Sequence, residues 1–279
     1  MRPMLHHTPI AHPDSTPMTD AWLLHGILGS GRNLRTFAQK LVKAVPTLRL
    51  WLVDHRGHGE SPPGEPPQTL DACVADLTAL AVHLGIQPAA ALGHSFGGKV
   101  ALAWARQKPL GLQQVWVLDA LPGPGTPERE ASDASVVAVV QALRAIPLPL
   151  PDRQALGPAL AAQGISPAVI AWMSTNLRPV AGGFSWKFDL DVVEALLASY
   201  FAVDLWPVLE TPPPGVRIDV VRAGRSQRWT KPVLDQFAAV SSHQPERVAL
   251  HVLPAAGHWL HVDDPDGLVA LLAPGLGKL

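Results

Sequence analysis

Six short apolar runs, most of them separated by segments of helical period, leave this chain few folds to adopt. They are AWLLHG (Ala21 to Gly26), LRLWLVD (Leu48 to Asp54), AAALG (Ala89 to Gly93), VWVLDA (Val115 to Ala120), VRIDVVRAG (Val216 to Gly224) and RVALHVL (Arg247 to Leu253). Runs this short, apolar on both alternating faces, read as strands of a mostly parallel sheet covered by helices. Between them, Leu34, Phe37, Ala38, Leu41, Val42 and Val45 fall on one helical stripe, with Asn33 as its expected N-cap. Leu70, Val74, Leu77, Leu80, Ala81 and Leu84 form a second stripe. Further helices are expected after Ser95 to about Lys108, around Lys231 to Val240, and near Gly267 to Leu272.

After Ala120 the rhythm changes. LPGPGTPERE and AIPLPLPD are Pro/Gly-rich breaks, and from Gly123 to about Leu205 the segments read as short helices with no strong strand. One of them, SPAVIAWMSTNL, has Ser166 placed to cap it and Pro167 in its first turn. The expected organisation is a doubly wound α/β core over residues 1–122 and 206–279 and a helical lid over 123–205, inserted above the strand ends.

Composition narrows the function. Of 279 residues 47% are apolar and 16% charged, enough for a sizeable core, and the net charge of -1 with no basic run argues against nucleic acid as a partner. The single Cys73 excludes an internal disulfide framework and fits a reducing compartment. Prolines and histidines break the first twenty or so residues where a signal peptide would be apolar, and no window is long enough for a membrane span. A cytoplasmic protein is expected. His6, His7 and His12 lie in this leader, which is expected to be exposed, and no metal site is predicted from them.

The stretch Gly93-His94-Ser95-Phe96-Gly97 runs from an apolar strand straight into an apolar helix. A Gly-x-Ser-x-Gly turn in that setting holds serine in a strained conformation with its Oγ above the sheet, and its neighbours must be small. A serine hydroxyl needs an imidazole to become nucleophilic. His258, in the loop after the last strand, can reach the same sheet edge. His261 reads as part of the run into the last helix, His94 as a structural part of the turn, and His251 as a strand residue. The acid is expected to be Asp119, at the end of the strand after the nucleophile helix. The loop after the next strand holds Arg222, Arg225 and Arg228 but no carboxylate, and Asp263 and Asp264 follow His258 too closely. The backbone N–H groups of Ile27 and Phe96 are the expected oxyanion donors. Leu28, Trp186 and Trp259 are the expected substrate-pocket residues, with Trp172, Phe184 and Phe188 as further lid aromatics.

With Ser95, His258 and the LLHGILGS loop in place, the chain resembles the α/β-hydrolases over nearly its whole length. It is most similar to the bacterial esterase group that includes the YbfF esterase and the ABHD11-like hydrolases. That group shares the His-Gly-x-x-Gly-Ser loop, the Gly-His-Ser-x-Gly-Gly-Lys turn (here Gly93 to Lys99), a Trp-x-Phe-x-x segment in the lid (here Trp186 to Leu190), and an Ala-Gly-His-Trp histidine loop. VDHRGHGES (Val53 to Ser61) also resembles a loop common in the superfamily. The resemblance implies a serine esterase that works without cofactor on a small-molecule ester, and in the bacterial esterases the acid occupies the position of Asp119. The N-terminus departs from the group, whose two opening strands look short or lost here. Thioester, carbon–carbon or acyl-transfer chemistry, and a non-catalytic binding protein of the same fold, remain the alternatives, and the oligomeric state is left open.

Overall fold

The computed structural model describes residues 4–125 and 136–279. Its strands are β1 (His7–Ile10), β2 (Thr19–Leu24), β3 (Leu48–Val53), β4 (Ala90–His94), β5 (Gln114–Leu118), β6 (Leu177–Val180), β7 (Gly183–Trp186), β8 (Arg217–Ala223) and β9 (Val248–Leu253). Seven of them form one sheet in the order β1-β3-β2-β4-β5-β8-β9. Every neighbouring pair is parallel except β1 with β3. In register, Gly93 of β4 stands between Leu24 of β2 and Val117 of β5, so these three strands end together at one edge.

Alternation along the strands divides the core. Ala21, Leu23, Leu50, Leu52, Leu92 and Leu118 face one side and pack on α1 (Arg35–Ala44) and on the C-terminal helix. Trp22, Leu24, Val53, Ala91, Val115 and Val117 face the other side, toward α2 (Leu70–Leu84) and α3 (Phe96–Arg106). Each large apolar side chain fully withdrawn from water contributes roughly 1.5–3 kcal/mol. Between β5 and β8 the chain forms α4 (Val136–Arg144), α5 (Leu156–Ala161), α6 (Pro167–Ser174), the β6–β7 hairpin, α7 (Leu190–Ala202) and α8 (Trp206–Glu210). The last elements are α9 (Lys231–His243), α10 (Leu260–Asp263) and α11 (Pro265–Leu276). Among the described residues no helix is long and apolar enough to cross a membrane.

Three local expectations are corrected. The leader is not simply exposed: β1 pairs with β3, Leu5 and Ile10 are buried, and His6 Nδ1 lies 2.9 Å from Asp54 Oδ2. Pro9 is tolerated there because β1 is an edge strand. The inserted segment does contain strands, since Ala181-Gly182 turns β6 back on β7 and Gly182 takes φ +84°. Leu150 then joins this hairpin through reciprocal backbone bonds of 2.8 Å with Phe184. Asn33 does not cap α1. It lies in a 3-10 turn (Gly31–Leu34), where its Oδ1 accepts from the Ser30 amide at 2.8 Å, and α1 begins only at Arg35. By contrast Ser166 caps α6 and Pro167 opens it, as the spacing predicts.

Candidate active site

Ser95 is the single residue between β4 and α3, held at φ +52° and ψ -115°. A Cβ on Gly93 would run into the Gly97 carbonyl, and one on Gly97 would stand 2.6 Å from the Leu24 oxygen, so neither position admits a larger residue. Among the described residues four non-glycine residues have positive φ, and three of them, Leu28, Ser95 and Asp119, sit around this one edge of the sheet. Backbone strain of this kind costs about 1–3 kcal/mol per residue and persists only where the surroundings over-determine it.

Asp119 follows β5 directly and is fully buried. Its Oδ1 accepts from the Ala223 amide (3.0 Å) and the Trp229 indole (2.8 Å), and its Oδ2 lies 2.8 Å from His258 Nδ1. Burial, the largest single influence, pushes this carboxyl's pKa up. The hydrogen bond and charge of His258, with the Ala223 and Trp229 donors, more than offset it and hold the group below the usual aspartate value. The end of β8 and the loop after it, which lacks a carboxylate, therefore supply donors to the one at the end of β5. That is the signal its sequence carried: a buried acid needs hydrogen bonds from the neighbouring strand's loop.

His94 ties the two halves of the site together. Its Nε2 donates to the His258 carbonyl at 2.7 Å, and its ring lies 4.7 Å from that of His258 and 5.0 Å from that of His261. Burial pushes His94 well below the usual histidine value and His261 down to about 4, with the nearby histidines adding to the effect. Arg228 was not foreseen at the site. Its Nη1 lies 3.5 and 3.3 Å from the two ring nitrogens of His258, against the ring rather than in line with one lone pair. Asp263 accepts from the Gly257 amide and Asp264 from the Gly267 amide, so both serve the local backbone.

The loop after β2 is held from behind by three clustered histidines, whose rings meet edge-on or tilted. His25 Nδ1 donates to the Gly26 carbonyl (2.7 Å), and His25 Nε2 accepts from the His55 amide (3.0 Å). His55 Nε2 donates to the His25 carbonyl (3.1 Å), and His58 Nδ1 donates to the Arg56 carbonyl (2.9 Å). The Leu28 amide in turn donates to His58 Nε2 at 3.2 Å. These partners fix each ring as one neutral tautomer. Burial drives all three below the usual histidine value, His58 to about 3. Leu28 N–H is committed to His58, whereas the Ile27 and Phe96 amides donate to no other group among the described residues.

Ser95, His258, Ile27 and Phe96 all line one cavity of about 860 Å³. Leu28 and Trp259 line it too; Trp186 does not, because it stacks on Phe188 (5.5 Å between rings) inside the inserted segment. From that segment the wall is instead Val136, Val139, Val169, Trp172, Leu197 and Tyr200. Of the aromatics expected in the lid only Trp172 reaches the cavity, where it meets Trp259 edge-on at 5.6 Å. The helical stripe of α7 identifies which residues are apolar, but not which of them end over the serine.

A strained serine between a parallel strand and a helix, an imidazole hydrogen-bonded to a carboxylate from the next strand, and a shared cavity are the features of an α/β-fold hydrolase. The chain belongs to the alpha/beta hydrolase family, whose profile matches residues 23–271. The sn-1-specific diacylglycerol lipase ABHD11 of Mus musculus is 30% identical over 267 residues, spanning 90% of this chain and 80% of its own length. Esterase YbfF of Escherichia coli (strain K12) is 25% identical over 250 residues, spanning 88% of this chain and 89% of its own. A marine microorganism esterase of solved structure superposes with a TM-score of 0.81 at 21% identity, covering 98% of this chain and 99% of that one, a likeness of fold.

Proposed function

We propose that this protein is a serine carboxylic-ester hydrolase acting through an acyl-enzyme. Ser95 Oγ attacks the ester carbonyl while His258 Nε2 takes its proton, and Asp119 keeps the imidazole in the required tautomer and stabilises the imidazolium. The Ile27 and Phe96 amides receive the oxyanion. Collapse of the tetrahedral intermediate breaks the carbon–oxygen bond, and His258 returns the proton to the leaving alcohol. Water then repeats the sequence on the acyl-Ser95 ester and releases the acid. Every step is a proton transfer, an addition at the carbonyl carbon or the elimination that reverses it, so none requires a metal or organic cofactor.

One observation carries this reading: the 2.8 Å contact between Asp119 and His258 Nδ1 orients an imidazole at the cavity that the strained Ser95 also lines. The apolar wall formed by Val139, Val169, Trp172 and Leu197 supports an acyl group of short to medium length, and the inserted segment acts as the lid over it. The names of the mouse and Escherichia coli relatives, a diacylglycerol lipase and an esterase, put acylglycerols and simple alkyl esters first among substrates to try. The expected outcome is hydrolysis of p-nitrophenyl esters and covalent labelling by a fluorophosphonate, seen as one added mass on Ser95. Ser95→Ala should abolish labelling and lower kcat by about 10⁴-fold or more. Hydrolysis that survives in Ser95→Ala at the native rate would sink the reading.

A further inference from the structure

The helix that carries the nucleophile also carries a buried cation that the acyl-transfer cycle does not use. Lys99 lies in α3, four residues after Ser95, and only 1% of it is exposed. An ammonium has three donors and no acceptor, and burying one is costly unless those donors are used. Lys99 Nζ donates to the carbonyls of Tyr200 (2.6 Å), Gly123 (2.7 Å) and Val203 (3.1 Å), and lies 4.4 Å from the centre of the Tyr200 ring.

These acceptors are not scattered. Gly123 stands where the chain has left β5 for the inserted segment. Tyr200 is in the last turn of α7, and Val203 is its C-cap, just before the chain returns to the core. Carbonyls in a final helical turn have no partner within the helix, and they stand at the negative end of its dipole. One side chain on α3 thus fastens both arms of the insertion and terminates the helix whose last turns present Leu197 and Tyr200 to the cavity. Tyr200 also lies against Phe96, with ring centres 6.1 Å apart, so the anchored wall abuts the residue after the nucleophile.

We propose that Lys99 is a positioning residue for acyl-group selection: by binding the Gly123, Tyr200 and Val203 carbonyls it fixes α7 at the distance from Ser95 that sets which acyl lengths the cavity accepts. This rests on Ser95 being the acyl acceptor. Methionine at position 99 would fill a similar volume but leave three carbonyls without their donor, so α7 would lose its fixed end while Ser95, on the other side of the turn, keeps its own supports.

The test compares the wild-type chain with Lys99→Met on p-nitrophenyl butanoate and decanoate, alongside the rate at which a small ethyl phosphonate labels Ser95. The ratio of kcat/KM for the two esters should move by about tenfold, through KM rather than kcat. The labelling rate should stay within about twofold. In a Tyr200→Ala background the same Lys99 change should have much less effect on the ratio, because the two act on one wall. Should Lys99→Met not fold, Lys99→Gln, which keeps two donors, serves in its place, and failure of both to fold would reduce Lys99 to a folding requirement and overturn the proposal. An unchanged ratio, or an equal loss on both esters and in labelling, would overturn it while leaving the nucleophile reading intact. A wild-type chain that neither hydrolyses these esters nor labels at Ser95 would remove that reading and this one together.

Discussion

The loops at the strand ends and the inserted segment line the same cavity by different physical means. The loops are strained and polar inside: His25, His55 and His58 are buried and singly tautomeric, Asp54 accepts from the Gly31 and Glu60 amides, and Arg56 holds Asp76 at 2.7 and 2.9 Å. The insertion is built of short helices and a hairpin packed through apolar contacts, with ion pairs on its outer face such as Arg144 with Asp191 and Glu194. Among the described residues its polar ties to the core include Lys99, the Asp189 amide to the Gly57 carbonyl, and the Leu70 amide to Ser199 Oγ. A directional polar network fixes atoms to fractions of an ångström, which acid–base chemistry requires. Apolar packing fixes shape and volume and tolerates substitution, which suits a wall that selects substrates.

The largest effect should come from cutting the network at its acid. Asp119→Asn turns an acceptor into a possible donor facing His258 Nδ1, favours the wrong tautomer, and should lower kcat on a p-nitrophenyl ester by about 10⁴-fold with KM little changed. Asp263→Asn, measured in parallel, should stay near the native rate. The reverse result would reassign the acid.

The contrast in stability comes next. Removing one partner of the Arg56–Asp76 pair, whose side chains are 6% and 14% exposed, leaves a carboxylate without its partner. Arg56→Met should therefore cost about 3–5 kcal/mol in denaturant unfolding. Arg144→Met, on the outer face of the insertion, should leave the unfolding midpoint where it was. Equal effects would show that the two regions are stabilised alike.

A pH titration separates the regions by the smallest step. All twelve histidines lie outside residues 123–210. Buried neutral histidines with lowered pKa values bind protons more readily unfolded than folded. Their contribution is complete above the unfolded value near 6.5 and declines as pH falls from there toward the folded value. For His58, fully buried and held at about 3, the loss between pH 7 and 5 is about 2 kcal/mol. Thermal melts should therefore drop over that interval, and His58→Gln should reduce the drop while lowering stability at pH 7. A melting temperature flat from pH 7 to 5 would contradict the assignment of His58 as buried and neutral.

Much of this molecule follows from local rules that a linear chain displays. The parallel strands, α2 from Leu70 to Leu84, the cap at Ser166 and the strained Ser95 between small neighbours each depend on residues close in sequence, so periodicity and turn chemistry expose them. Asp119 could be picked out because a carboxylate ending an apolar strand needs partners, and the next strand's loop offered none of its own. β1 and the β6–β7 hairpin were harder, because four-residue strands, two of them holding a proline, carry little local signal and form against partners elsewhere.

What tertiary structure alone decided is which distant groups meet. Trp229 reaching Asp119, His58 taking the Leu28 amide, Arg228 lying against His258, and Trp186 turning into the insertion while Leu197 and Tyr200 face the cavity all depend on how separate elements pack. The linear chain determined the strand order's raw material and the chemistry at its punctuated turns, because those obey short-range sterics. The shape of the cavity was settled only when the insertion docked, because an apolar helix can present any of several faces until a neighbour chooses one.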